Sequence, residues 1–268
     1  MSTLDRHHAR AAYDALARGY DRFTAGHDQK TWTGTVLELA TMSGLSGRRL
    51  LDVACGTGSP IGPTVARGFE VVGVDISPQM LELARGKVPE DVTLLCHDMR
   101  ELPVLGEFDL VWALCDAVNY LQDPEELVTT FEGFRRNLAD GGVVAFDVDT
   151  LATMRALYSS LLVVPGENEV LVCEGRTSED LPSGGTATSF IDHLQLVHTP
   201  WWRRTRSVHH QRHHPEASIR AALEAAGFSW TRVWGTDATG RWHEPFDDLE
   251  HTKAVYTARI SAPEHEGR

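Results

Sequence analysis

The chain is short of basic side chains. Lysine and arginine number 25 against 38 aspartates and glutamates, giving a formal charge of -13. That imbalance argues against a protein whose main task is to grip a phosphate backbone, so no nucleic-acid partner is expected. Cysteine is scarce too. Cys55, Cys96, Cys115 and Cys173 form no Cys-x-x-Cys pair and no zinc-ligand spacing, so no metal is expected. Three of them fall in or beside strand-like runs and read as free thiols, which suits a reducing, cytoplasmic location. Long apolar runs are missing. The start, with Asp5, Arg6, His7, His8 and Arg10, has no signal-peptide core, and no stretch is long enough to cross a membrane. Internal repeats and low-complexity linkers are also absent, so 268 residues read as one large domain carrying an insertion.

What is present is organised around residues 50–58, Leu-Leu-Asp-Val-Ala-Cys-Gly-Thr-Gly. An apolar run of strand length is broken by Gly56 and Gly58, a turn that lets backbone approach a ligand with no Cβ in the way. Downstream, strand and helix patterns alternate. Strands are expected at 49–53, 70–74, 92–96, 108–114 and 143–147, with helices at 60–67, 78–85 and 124–138 between them. Ser77 and Asp123 are candidate N-caps, each followed by proline at the first helical position. Such βαβ units build a parallel sheet with every C-terminal strand end on one edge. Asp75, Asp98, Asp116 and Asp147 all stand at such ends.

Before this core, residues 5–23 have mixed amphipathic spacing, with Gly19 and Gly26 expected to break the helix; a second helix is expected at 32–43. Tyr13-Asp14 and Tyr20-Asp21 repeat two helical turns apart, so both tyrosines can share a face. After Thr150 the rhythm changes. A helix near 151–161 is followed by strand-like runs at 169–177, 187–197 and 204–213, an antiparallel meander. A helix at 215–226 and strands at 228–234 and 253–260 then complete the pattern.

These motifs carry a resemblance. Asp-Val-Ala-Cys-Gly-Thr-Gly at 52–58, Val-Asp-Ile-Ser at 74–77, Cys-His-Asp-Met at 96–99 and Asp-Ala-Val-Asn-Tyr-Leu at 116–121 resemble successive motifs of class I S-adenosylmethionine-dependent methyltransferases. The tyrosine-rich start and the insertion resemble the small-molecule, natural-product branch of that family. The resemblance implies a Rossmann-like three-layer α/β sandwich with a mixed seven-stranded sheet and an antiparallel β insertion after strand five. It divides the chain into an N-terminal helical lid (1–47), a cofactor-binding core (48–150), the insertion as substrate roof or dimer interface (151–214), a C-terminal completion (215–261) and a disordered tail (262–268). The rival dinucleotide fingerprint needs a third glycine where Ile61 stands.

By the same resemblance, S-adenosylmethionine is the cofactor. Its site would draw on the lid residues Tyr13, Tyr20 and Trp32, on Asp52, Ala54, Gly56 and Gly58, on Asp75, Ile76 and Met80, and on Asp98, Met99 and Leu114. Asp75 has two oxygens for the ribose hydroxyls, and Asp98 suits the adenine amino group. The implied reaction is methyl transfer to an N or O atom of a small molecule, in secondary-metabolite or antibiotic biosynthesis, by a monomer or homodimer. The alternatives are non-methylating chemistry on the same fold and RNA methylation. Asp116, His193 and His210 are the candidate bases. The run at 201–214, rich in Arg and His, reads as a solvated or subunit-pairing strand, a substrate-facing wall, or a metal site. Neighbouring histidines on a strand point to opposite faces, which counts against the last.

Overall fold

A computed structural model describes residues 8–261. The expected start at residue 5 and the tail at 262–268 lie outside the described residues. Two helices come first, α1 (His8–Phe23) and α2 (Gln29–Met42). The alternating core follows as β1 (Arg49–Val53), α3 (Ile61–Val65), β2 (Glu70–Asp75), α4 (Pro78–Arg85), β3 (Thr93–Cys96), β4 (Phe108–Ala113), α5 (Pro124–Arg136) and β5 (Leu138–Asp149). Short 3-10 turns at Met99–Glu101 and Ala117–Tyr120 follow β3 and β4. The insertion comprises α6 (Leu151–Tyr158), β6 (Leu161–Pro165), β7 (Glu169–Gly175), β8 (Thr186–His198) and β9 (Trp201–Arg212). α7 (Glu216–Ala225), β10 (Trp230–Thr236), β11 (Trp242–His243) and β12 (Lys253–Arg259) complete the chain.

The main sheet runs β11-β10-β12-β5-β4-β1-β2-β3. β1 to β5 are parallel, and β12 lies antiparallel between β5 and β10. The chain is therefore a Rossmann-like α/β protein with a mixed sheet. Its eighth strand beyond the expected seven is β11, two residues paired with Gly235 and Thr236; two residues carry no periodicity to read. Strand order reverses between β1 and β4, and the C-terminal strand ends there frame a crevice.

Alternation along the strands sends side chains to two cores. Leu51, Val111 and Val144 pack with Phe131 and Phe134 of α5 and Leu223 of α7. Leu50, Leu110 and Val143 pack with Val36 and Leu39 of α2 and Leu81 of α4. With helices on both faces, β1 and β4 are mostly apolar, interrupted by Asp52 and Asp109.

Three local expectations change. α1 runs unbroken through Gly19, and a Cβ there would stand 2.8 Å from the His193 ring, so the glycine permits close approach to β8 rather than a break. Asp123 occupies the N-cap of α5 but makes no capping bond, whereas Ser77 accepts from the Met80 amide at 3.1 Å. The insertion sheet has four strands, β6-β7-β8-β9. Its edge strand β6 exposes Leu161, Leu162 and Val163 in succession, so no alternation marked it as a strand.

Candidate active site

The turn after β1 shapes one wall of a cavity of about 490 Å³ at the switch point. Gly56 has φ +55°, and a Cβ there would meet only Tyr20 at 3.8 Å. Backbone conformation selects this glycine, and its open side faces the cavity. Gly58 has φ +78° and lies under Val88, which a Cβ would approach to 2.6 Å. Its role is packing, and it does not line the cavity. Asp75 closes the turn. One carboxylate oxygen accepts from the Gly56 amide and the other from the Ser77 amide, both at 2.8 Å. Each oxygen keeps a second lone pair. Burial raises the Asp75 carboxyl to about 6, opposed by those two amides. Asp52 is 1% exposed, and its Oδ2 has no hydrogen-bond partner. Burial pushes this carboxyl up to about 7.

Beyond β3, Asp98 is held by Arg100. The guanidinium reaches both carboxylate oxygens, with Nη2 at 2.6 Å from Oδ2, while Nη1 reaches Glu126 at 3.0 Å. All three residues line the cavity. The sequence singled out Asp98 but neither partner.

α1 covers the turn. Tyr13 and Tyr20 line the cavity from one face of the helix, their rings 6.1 Å apart. The aspartate that follows each tyrosine docks the helix onto the core. Asp14 accepts from the buried Ser77 hydroxyl at 2.6 Å, and Asp21 accepts from the Thr57 hydroxyl at 2.6 Å. The repeated Tyr-Asp pair thus serves two surfaces, one toward the cavity and one toward the loops after β1 and β2.

The loop after β4 forms the opposite wall. Cys115 and Asp116 take left-handed conformations, φ 59° and 55°. Asp147 holds this turn by accepting the Cys115 and Asp116 amides at 2.6 and 3.1 Å. Lys253 joins Asp116, Asp147 and Asp149 at 2.8–2.9 Å. Asn119 ties the same loop to its surroundings, donating to the Arg212 carbonyl at 2.8 Å and accepting from the Asp149 amide at 3.0 Å. Tyr120 follows, and its hydroxyl lies 2.8 Å from His209 Nδ1. One face of β9 is buried and polar: Ser207, His209 and Gln211 are at most 4% exposed. Gln211 donates to Asp116 at 2.6 Å.

Of the residues expected at the cofactor, Tyr13, Tyr20, Asp52, Ala54 and Gly56 line the cavity, as do Asp75, Ile76, Asp98, Met99 and Leu114. Trp32, in the first turn of α2, packs on the core, and Met80 is wholly buried in α4. Of the candidate bases, His210 lines the cavity and meets the Thr188 hydroxyl at 2.9 Å. Asp116 is engaged by Lys253 and Gln211 away from the cavity lining. His193 lies beneath α1, bonded to Glu169 at 2.7 Å. Lys253 escaped sequence reading, and His209 was read only within the run at 201–214, although both left a signal. Asp147 and Asp149 share a strand face and require a cation, and alternation along 201–214 separates a buried polar face from an exposed one.

Fold and cavity together define a doubly wound α/β protein with a cavity lined by carboxylates from three successive strands. Comparison with known proteins gives the cavity's ligand its chemistry. The family described as methyltransferase domain matches residues 50–142. The dTDP-4-amino-2,3,4,6-tetradeoxy-D-glucose N,N-dimethyltransferase of Saccharopolyspora spinosa is 32% identical over 62% of this chain and 67% of its own. Among solved structures, an S-adenosylmethionine-dependent methyltransferase from Clostridium acetobutylicum superposes with a TM-score of 0.73 at 22% identity, covering 93% of this chain and 99% of its own. Streptomyces venezuelae DesVI gives 0.71 at 23% identity, covering 92% and 98%. The chain belongs to the class I S-adenosylmethionine-dependent methyltransferases.

The residues present suit that cofactor. Asp52 is a buried carboxyl on the cavity wall whose Oδ2 makes no well-formed hydrogen bond, with only the Trp112 indole nearby to stabilise its charge, and it suits an ammonium group. Asp75 keeps acceptor capacity for two hydroxyls, and the bare backbone at Gly56 leaves room beside both. No helix among the described residues is long and apolar enough to cross a membrane.

Proposed function

We infer that the protein methylates an amino nitrogen of a small molecule, in the class of amino sugars or similar natural-product intermediates. Bound S-adenosylmethionine supplies a methyl group on a cationic sulfonium, whose S–C electron pair stays on sulfur, so the acceptor must bring a lone pair. The observation that carries the reading is the state of the groups on the acceptor side. Burial raises the Tyr13, Tyr20 and Tyr120 phenols above their ordinary value, so all three remain protonated at neutral pH. Burial holds His209 down at about 4, so it remains neutral. Asp116 is taken up by Lys253. These five groups position an acceptor without stripping a hydroxyl of its proton, and the one other candidate base on the wall, His210, is bonded to the Thr188 hydroxyl. A neutral amine needs only alignment and exclusion of water.

The insertion roofs the acceptor end in this reading, supported by Thr186, Val208 and His210 on the cavity wall. The N-methylating relative of known amino-sugar substrate supports the acceptor class. The test is a mass-resolved assay with S-adenosylmethionine and matched pairs of amino sugars and their hydroxyl counterparts, free and nucleotide-linked. Methylation of amines with the hydroxyl partners untouched is expected. Methylation of the hydroxyl partners alone would refute the reading.

A further inference from the structure

A chain of hydrogen bonds runs inward from the acceptor wall. Tyr120 lines the cavity, and its hydroxyl meets His209 Nδ1 at 2.8 Å. Across the imidazole, His209 Nε2 meets Ser207 Oγ at 2.8 Å. The Ser207 hydroxyl is itself aimed at the Ile191 carbonyl at 3.4 Å. Tyr13 packs against both rings, at 5.2 Å from Tyr120 and 5.6 Å from His209.

A serine hydroxyl has one hydrogen. Directed at the Ile191 carbonyl, 3.4 Å away, it leaves an Oγ lone pair facing His209 Nε2, and the tautomer proposed here follows from that orientation. His209 Nε2 then carries the imidazole hydrogen, and Nδ1 carries the lone pair, a tautomer assigned from this network. Tyr120 must donate to Nδ1. Its hydrogen is turned away from the cavity, and its oxygen faces a substrate as an acceptor that the Tyr13 and Gln211 side chains also approach as donors. Burial and the neighbouring His210 keep His209 from taking up a proton, against the pull of Asp116.

We propose that Tyr120 accepts an N–H of the substrate amine, and that His209 is the positioning residue that turns the Tyr120 hydroxyl into an acceptor. The proposal rests on the amine reading above. An amine held by one N–H has its nitrogen lone pair free to point elsewhere, toward the methyl source. Neither residue gains or loses a proton; the extra proton on the methylated nitrogen leaves to water. The arrangement also disfavours carbonyl and ether oxygens at this position, which would face another acceptor.

Two measurements test it. Nitrogen-15 spectra of the imidazoles at pH 7, with His209 assigned by its loss in H209N, should show hydrogen on Nε2 and a bare Nδ1. Hydrogen on Nδ1, or an imidazolium, would overturn the proposal. In turnover assays, Tyr120→Phe should lower kcat/KM for the amine by about tenfold to a hundredfold, with S-adenosylmethionine affinity unchanged. H209F should lose as much, the Y120F/H209F double variant should lose no more, and H209N, whose amide oxygen can accept from Tyr120, should recover part of the loss. The acid limb of the pH profile should belong to the substrate amine and keep its position in H209N. Additive losses in the double variant, or Y120F at wild-type efficiency on an amine the wild type methylates, would overturn this proposal alone. A wild type that binds S-adenosylmethionine yet methylates no amine would overturn the amine reading and this proposal together.

Discussion

The ammonium of Lys253 stands 2.8 Å from the carboxylate of Asp147, a side chain with no exposed surface. Asp149 and Asp116 approach the same ammonium at 2.9 Å. One cation therefore answers three carboxylates, one of which holds the left-handed turn after β4. Lys253→Met keeps the aliphatic stem and removes the charge. Unfolding free energy at pH 7 should fall by about 3–5 kcal/mol, the cost of leaving a buried charge uncompensated. Urea denaturation checks this. The deficit should shrink as pH falls. Burial already raises Asp149 to about 7 in the folded protein. Relative to an unfolded carboxyl near ~3.9, that shift opposes folding above pH 7, and the opposition disappears below about pH 4 as both states take the proton.

Cofactor binding should depend on pH through Asp52 and Asp75, raised by burial to about 7 and about 6. A cationic ligand favours the ionised carboxylates and lowers both values, so binding between pH 6 and 7 releases protons. Calorimetry with S-adenosylmethionine should show affinity rising from pH 5.5 to 7.5. At pH 6.5 the heat should vary with the ionisation enthalpy of the buffer. An affinity flat across that range would show that neither carboxylate titrates on binding.

Gly56 and Gly58 should separate under the same substitution. Gly56→Ala places a Cβ on a left-handed backbone with φ +55°, at a cost of about 1–2 kcal/mol, and narrows the cavity. Cofactor affinity should fall. Gly58→Ala presses on Val88 outside the cavity, so melting temperature should drop with cofactor affinity nearly preserved. Titration and thermal melts on both variants decide it.

The helix α1 should loosen when its docking bonds are cut. Asp14→Ala removes an acceptor from the buried Ser77 hydroxyl, worth about 1 kcal/mol. Amide exchange in α1 should accelerate about fivefold without global unfolding. Asp21 is half exposed and pairs with Lys87 at the surface, so Asp21→Ala should have the smaller effect. Equal exchange in the two variants would refute this ranking.

The sheet core was legible because βαβ periodicity is local, and buried parallel strands advertise themselves as apolar runs. The cofactor wall was legible for the same reason: its aspartates stand at strand ends that periodicity locates. The acceptor wall was much less so. Tyr120, His209 and Asp116 meet partners 89 to 137 residues away, and no spacing rule reaches that far. Gly19 shows the limit in a single residue. Alone it signals a helix break, and only the His193 ring across the interface explains why the helix needs it.

The bonds made by Asn119 bear on how such an enzyme changes its substrate. Its amide group couples the loop after β4 to the end of β9 and to the end of β5. The meander is therefore not a cassette that can be exchanged by cutting at its own two ends. A chimera that trades the insertion for a relative's, but keeps the host's loop, would mismatch the side-chain contacts of Tyr120 with His209 and of Asp116 with Gln211 together. Transplanting specificity in this scaffold calls for moving both segments as one unit.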